Sequence, residues 1–271
     1  MAKLLAALYL AAVAAAGAAA AQSYEQLRQW CYGDATHEQT IRGCSAVIEG
    51  GRETTVNIGS AYRSRGAAYF QTNQVERAIA DMNEAVKRAP SYSSYLLRGF
   101  VHQHMGHLEE ATADYTHAIQ IAPSAIAHSS RGRMYMLLGQ PDKALPDFEQ
   151  AIRLDARIAD GHTGRCWVRA LHNQLDRALP DCDTAVRLGP TDFFAREVRG
   201  LVHLKAGRFD AALGDYEVAL GSQPTRAASL YGRGIARRRL GNTAGGDADI
   251  AAAVARWPGV AADFERFGVK P

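Results

Sequence analysis

Little in these 271 residues favours one sign of charge: 31 Lys and Arg are interleaved with 28 Asp and Glu, for a formal net charge of +3. The polybasic tail or stripe that nucleic acid requires is absent, so no nucleic-acid partner is expected. Nucleophile-elbow, phosphate-loop and zinc-helix motifs are missing too. Ser129 and Ser130 stand beside His128, but no acid lies at an informative spacing. The expectation is a protein without catalysis or cofactor. Long apolar runs are confined to the first 21 residues, MAKLLAALYLAAVAAAGAAAA. Lys3 gives a positive start, Leu4 to Val13 an apolar stretch, and Ala19 and Ala21 the small residues that suit cleavage before Gln22. Residues 1–21 therefore read as a secretory signal. The alternative, a retained anchor, is disfavoured by the alanine-rich and weakly hydrophobic composition. No cysteine follows the cleavage point to carry a lipid, so no stable membrane insertion is expected afterwards, and the location reads as periplasmic or secreted.

What the chain does have is apolar content, 47% against 22% charged, and a recurring dipeptide. Arg-Gly occurs at Arg65-Gly66, Arg98-Gly99, Arg131-Gly132, Arg199-Gly200 and Arg233-Gly234, while GRCWVRA places Cys166 after Arg165. The six positions are separated by 33, 33, 34, 34 and 34 residues. A near-constant period of this length predicts stacked helical hairpins. Twelve residues on come Ala78, Ala111, Ala144, Ala178, Ala212 and Gly246, small enough to let helices approach. Asn73, Gly106, Gly139, Asn173, Gly207 and Gly241, seven residues on, suit left-handed helix caps. Pro90, Pro123, Pro190, Pro224 and Pro258 close five of the six second helices.

From Gly59 to Pro258 this pattern resembles the tetratricopeptide repeat, in exported form with Arg-Gly where the family usually has leucine before the glycine. The resemblance implies an all-α fold, a right-handed superhelical solenoid of stacked antiparallel helix pairs. Six repeats are expected at about 59–91, 92–124, 125–158, 159–192, 193–226 and 227–258. A capping helical hairpin over 22–58 precedes them, and a capping helix over 259–271 follows. An aspartate stands sixteen residues after each arginine, pairing Arg65 with Asp81, Arg98 with Asp114, Arg131 with Asp147, Arg165 with Asp181, Arg199 with Asp215 and Arg233 with Asp249. Identical recurrence in every unit marks structural ion pairs, within a repeat or across a boundary. A catalytic site would instead gather unlike groups around one pocket.

The glycine positions face bulky residues sixteen later, Met82, Tyr115, Phe148, Tyr216 and Ile250, whereas the fourth repeat changes both members, to Cys166 and Cys182. A disulfide between them is the economical reading. Cys44 holds the place of Cys182 on its own helix, and Cys31 lies before the turn at Gly33-Asp34, so a second bridge Cys31 to Cys44 is predicted in the N-terminal hairpin. Four separate buried thiols are the alternative. Export favours the bridges, since disulfides persist in oxidising compartments.

In the family the concave face is lined by first helices. One row here contains Phe100, Arg133, Trp167, Leu201 and Ile235, and a second contains Phe70, Met136, Leu204 and Arg238. Apolar residues rimmed by arginine suit a protein or peptide partner in the groove, although some could instead pack between repeats. The family's carboxylate clamp is missing, with Arg63 and Ala67 in its first-repeat places. The leading expectation is a non-enzymatic periplasmic scaffold. Its rival is a metal-binding accessory of an envelope enzyme or complex, through His102, His104 and His107. Those three diverge around a helix rather than sharing a face, so no metal site is assigned.

Overall fold

The computed structural model describes residues 22–270, so the proposed signal, residues 1–21, lies outside the described residues. Among them are fifteen helices and no strand. The chain divides into two compact units, meeting between Met105 and Gly106.

The first unit carries α1 (Tyr24–Tyr32), α2 (His37–Gly50), α3 (Thr55–Gln71), α4 (Val75–Arg88) and α5 (Tyr92–Met105). Each helix packs on its sequence neighbour, and α3 also touches α1 and α5. Helix α2 begins with a reciprocal cap: Thr36 accepts from the Gln39 amide and the Gln39 side chain accepts from Thr36 N. That arrangement satisfies two otherwise unpaired donors and fixes the turn between α1 and α2. Within this hairpin Cys31 and Cys44 are bonded, with Cα atoms 4.6 Å apart.

The second unit carries α6 (Leu108–Ile121), α7 (Ala125–Leu137), α8 (Pro141–Leu154), α9 (Ala159–Leu171), α10 (Leu175–Leu188), α11 (Phe193–Lys205), α12 (Phe209–Ser222), α13 (Ala227–Arg239), α14 (Thr243–Arg256) and α15 (Val260–Arg266). The odd-numbered helices α7, α9, α11 and α13 form one contacting row, against which the even-numbered ones pack as partners in hairpins. Cys166 and Cys182 bridge α9 to α10, with Cα atoms 5.5 Å apart. Both bridges fall within the separation that a disulfide tolerates.

Local sequence sets these boundaries. All six expected cap residues adopt the left-handed conformation, including Asn73 at φ 59° and Asn173 at φ 57°. Asparagine tolerates that region better than other residues with a side chain, which is why it can replace glycine there. Helices α4, α6, α10, α12 and α14 each stop two residues before Pro90, Pro123, Pro190, Pro224 and Pro258 respectively. A proline disfavours helical geometry in the residue before it. The alanines Ala78, Ala111, Ala144, Ala178 and Ala212 are wholly buried, at the close contacts their size permits.

Bulky side chains on even-numbered helices fill the space between successive hairpins. The Phe148 ring lies between Gly132 and Gly164; a Cβ built on Gly164 would stand 2.2 Å from it. Tyr216 lies in the same way between Gly200 and Gly232, again with a Cβ clash of 2.2 Å at Gly232. In the fourth repeat the position of Phe148 and Tyr216 carries no ring. Cys182 reaches back to Cys166 instead, and Val198 occupies the place that Gly164 and Gly232 hold elsewhere, packing in the same core cluster as the bridge. The cysteines and this valine therefore replace one aromatic ring and two glycines as a set.

Candidate partner-binding grooves

Five of the sixteen-residue pairs form forked ion pairs inside single hairpins. Nε and Nη2 donate to the two carboxylate oxygens at 2.8 and 2.9 Å for Arg65 and Asp81, and at 2.7 and 2.7 Å for Arg131 and Asp147. The distances are 2.9 and 2.6 Å for Arg165 and Asp181, 2.8 and 2.7 Å for Arg199 and Asp215, and 2.8 and 2.7 Å for Arg233 and Asp249. Arg98 belongs to the first unit and Asp114 to the second. The third guanidinium nitrogen faces backwards. Nη1 of Arg65 donates to Ser45, of Arg98 to Asn83, of Arg131 to Thr116 and of Arg199 to Asp183, each on the preceding even-numbered helix. One planar fork thus closes its own hairpin and ties it to the one before.

The aspartates are buried and have further partners. Asp181 also accepts from Arg169 at 2.7 Å, Asp215 from Arg196 at 3.1 Å, and Asp147 meets His128 Nδ1 at 2.8 Å. Burial pushes the Asp147 carboxyl up, but hydrogen bonds from Arg131 and His128 outweigh it and hold the group below its ordinary value. Burial likewise opposes, and His162 and Arg165 overcome, at Asp181. A forked arginine on each of these five carboxylates suits a structural tie.

The nine residues of the expected groove rows separate into two groups. Met136, Leu201, Leu204 and Ile235 are buried, at 7%, 6%, 5% and 1% exposure, and pack inside the protein. For these four the groove expectation is corrected. Leu201, Leu204 and Ile235 share one core cluster with Val260, Phe264 and Val269 of the C-terminal segment. Met136 packs with Phe148 and Val168 between neighbouring hairpins. Phe70, Phe100, Arg133, Trp167 and Arg238 remain partly exposed. Arg238 is engaged with Asp247 at 2.6 Å.

Four of the remaining residues line cavities. In the first unit a cavity of about 410 Å³ has Phe70, Leu97 and Phe100 on its walls, Met82 beneath and Gln103 and His104 at the edge. The Phe70 and His104 rings meet edge to face, 5.2 Å between centroids. In the second unit a cavity of about 420 Å³ is walled by Arg133, Asp160, Trp167, Phe193, Phe194 and Arg226. Trp167 and Phe194 meet edge to face at 5.3 Å, and Arg133 pairs with Asp160 at 3.0 Å. Phe193, Phe194 and Arg226 were missing from the expected rows because they stand at a helix start, outside the register of those rows. The double phenylalanine after Asp192, a pair of adjacent aromatics that no other repeat has there, is the sequence signal that marks them.

His102, His104 and His107 do not converge: among the described residues no group of three or more His, Cys, Asp or Glu is placed to hold a metal ion. Among the same residues no helix is long and apolar enough to cross a membrane.

Family models described as tetratricopeptide repeat match residues 59–92 and 92–124, residues 125–157, and residues 195–265, together more than half of the chain. No curated protein matches in sequence. Among solved structures, the chain is similar to a tetratricopeptide repeat protein from Parabacteroides merdae, at 16% identity and TM-score 0.67, covering 91% of this chain and 99% of that one. It is similar to PilW, a widely conserved type IV pilus biogenesis factor, at 18% identity and TM-score 0.62, covering 74% and 94%. A third is YrrB, a tetratricopeptide repeat protein with an unusual peptide-binding site, at 20% identity and TM-score 0.54, covering 70% and 97%. At these identities the likeness establishes the architecture alone. On its helix pairs, its 33- to 34-residue register and the matched models, the chain belongs to the tetratricopeptide repeat family.

Proposed function

We propose that the chain is an exported, non-enzymatic scaffold whose grooves hold a protein or peptide partner. The observation that carries this reading is the pair of open cavities, about 410 and 420 Å³, each floored by aromatic side chains that the fold leaves partly exposed. Open aromatic surface in a concave wall is costly to leave in water and marks a contact site. The peptide-binding site of YrrB is consistent with the reading. Export rests on the composition of residues 1–21 and agrees with two disulfides and no free cysteine among the described residues. The repeat limits at 59–91, 92–124, 125–158, 159–192, 193–226 and 227–258, with caps over 22–58 and 259–271, belong to the same proposal.

The partner is best identified by pull-down from envelope extracts with the mature protein. Phe100→Ala with Trp167→Ala is expected to weaken capture, at about 2 kcal/mol for each anchor lost, while helical circular dichroism stays unchanged. Undiminished capture by the folded double variant would remove these cavities as the site. Mass measurement of the exported chain is expected to place its first residue at Gln22.

A further inference from the structure

The residue that precedes each odd-numbered helix from α3 to α13 is Thr54, Ser91, Ser124, Ile158, Asp192 and, at the last, Arg226. Arg226 does not cap α13 with its side chain. Its Nε and Nη2 donate to the two Glu197 oxygens at 2.7 and 2.8 Å, and Ser229 Oγ donates to the same carboxylate at 2.6 Å. The guanidinium carbon lies 5.0 Å from the centre of the Phe193 ring. Glu197 is buried, and the positions equivalent to it, two before each repeat arginine, are Arg63, Leu96, Ser129, Thr163 and Tyr231. No other repeat has a carboxylate there. The Glu197 to Arg226 tie is thus peculiar to one boundary of an otherwise periodic protein, and it holds one guanidinium fixed with its Nη1 edge uncommitted among the described residues.

Arg226 lines two cavities. One is the aromatic-floored groove of the second unit; the other, about 340 Å³, lies over the connection from α12 to α13 and is walled by Gln223, Thr225, Arg226, Ala228, Arg256 and Trp257. No carboxylate lines this second cavity. Arg256 makes no hydrogen bond or ion pair among the described residues, and Trp257 beside it is 47% exposed. Two guanidinium groups with spare donors next to an exposed indole complement a carboxylate flanked by an apolar side chain.

We propose that this rim cavity docks an acidic stretch of the partner peptide, with a glutamate or aspartate side chain between Arg226 and Arg256 and the adjoining apolar side chain on Trp257. The inference rests on the reading that the grooves hold a peptide, and it adds the charge of that peptide. Holding Arg226 in place before binding reduces the ordering cost of the contact. The contact is charge-assisted and partly exposed, so added salt weakens it.

The test uses the mature protein and short fluorescein-labelled peptides, one of alternating glutamate and leucine and one with glutamine in place of glutamate. Fluorescence anisotropy is expected to show the acidic peptide bound about tenfold more tightly. Arg256→Glu should abolish that preference without loss of thermal stability, and Arg226→Lys should reduce it. Equal binding of both peptides, or a preference that survives Arg256→Glu, overturns the inference and leaves the groove reading standing. If the acidic peptide keeps its full affinity in the Phe100→Ala, Trp167→Ala variant, the groove reading falls, and with it the assignment of the rim to the groove's peptide. Binding of neither peptide overturns the rim inference. Arg256-dependent binding of phosphatidylglycerol vesicles, with the acidic peptide unbound, assigns the rim to a membrane surface and overturns the proposal.

Discussion

Arg131 ties Asp147 through two hydrogen bonds and Thr116 on the preceding helix through a third, and the same division of labour recurs at Arg65 and Arg199. Removing one member leaves the other charge buried without its partner, so Asp147→Ala is expected to cost about 3–5 kcal/mol in urea unfolding. A loss below about 1 kcal/mol would show the pair to be no more than a surface contact. The acid response follows from the same residues. Asp147 and Asp181 titrate lower in the folded protein than in the unfolded chain, so the stability they contribute is fully present above the unfolded carboxylate value, about pH 4. It is lost as pH falls through the lower folded values. Urea midpoints measured between neutral pH and acid should therefore hold until about pH 4 and then drop, and Asp147→Asn with Asp181→Asn should flatten that drop. A decline that begins near neutral pH would point to other groups.

At the level of helices and hairpins, the aromatic ring seated between two glycines is the recurring joint. Gly232→Ala places a Cβ 2.2 Å from the Tyr216 ring, whose other neighbour is Gly200, where a Cβ would likewise stand only 3.0 Å from the ring. The ring has no room to retreat, so overpacking outweighs alanine's better helix propensity and the variant should lose about 1–2 kcal/mol. Unchanged or raised thermal stability would mean that the hairpins can slide apart. The disulfides act on different elements. Helix α1 has nine residues, too few to persist alone in water, and the cluster around it contains little beyond Cys31, Cys44, Val47 and Ala61. Cys31→Ser with Cys44→Ser is expected to cost on the order of 3 kcal/mol. Hydrogen exchange should show rapid exchange over 24–32 and unchanged protection in α7 to α13. Protection retained across α1 would show that Trp30 and its neighbours suffice without the bridge.

For the molecule as a whole, a stack of repeats has exposed ends, and the last hairpin is covered by α15 and the residues after it. Val260, Phe264 and Val269 are buried against Tyr231 and Ile235, with the Tyr231 and Phe264 rings 4.9 Å apart. Ending the chain after Trp257 would uncover an apolar surface around Tyr231, whose ring Phe264 meets. Repeat proteins need a capping end for solubility, so the shortened chain should self-associate on size exclusion while keeping most of its helical signal. A monodisperse shortened chain would make the segment dispensable. The near balance of charge leaves the chain without a strong field, so under the proposed reading partner discrimination falls to local features such as Arg226 and Arg256.

Periodicity made the helical hairpins, the caps at Asn73 and Asn173, the bridge Cys166 to Cys182 and the forks such as Arg65 with Asp81 readable from the chain alone. Each of these depends on partners at a constant spacing, and a repeat carries its neighbours' geometry in its own register. The acceptors Asn83, Thr116 and Asp183, two residues after the paired aspartates, and Val198, two before a repeat glycine, belong to the same register and were within reach of it. Groove accessibility was not. Leu201, Leu204 and Ile235 occupy row positions equivalent to Phe100 and Phe70, yet they are buried in a core cluster that also takes in Val260, Phe264 and Val269 from beyond the last repeat. The cavity at Phe193, Phe194 and Arg226 depends on Glu197, twenty-nine residues from Arg226 and outside the repeat pattern. Burial depends on what lies across a surface, and where that covering comes from outside the periodic chain only the tertiary structure decides it.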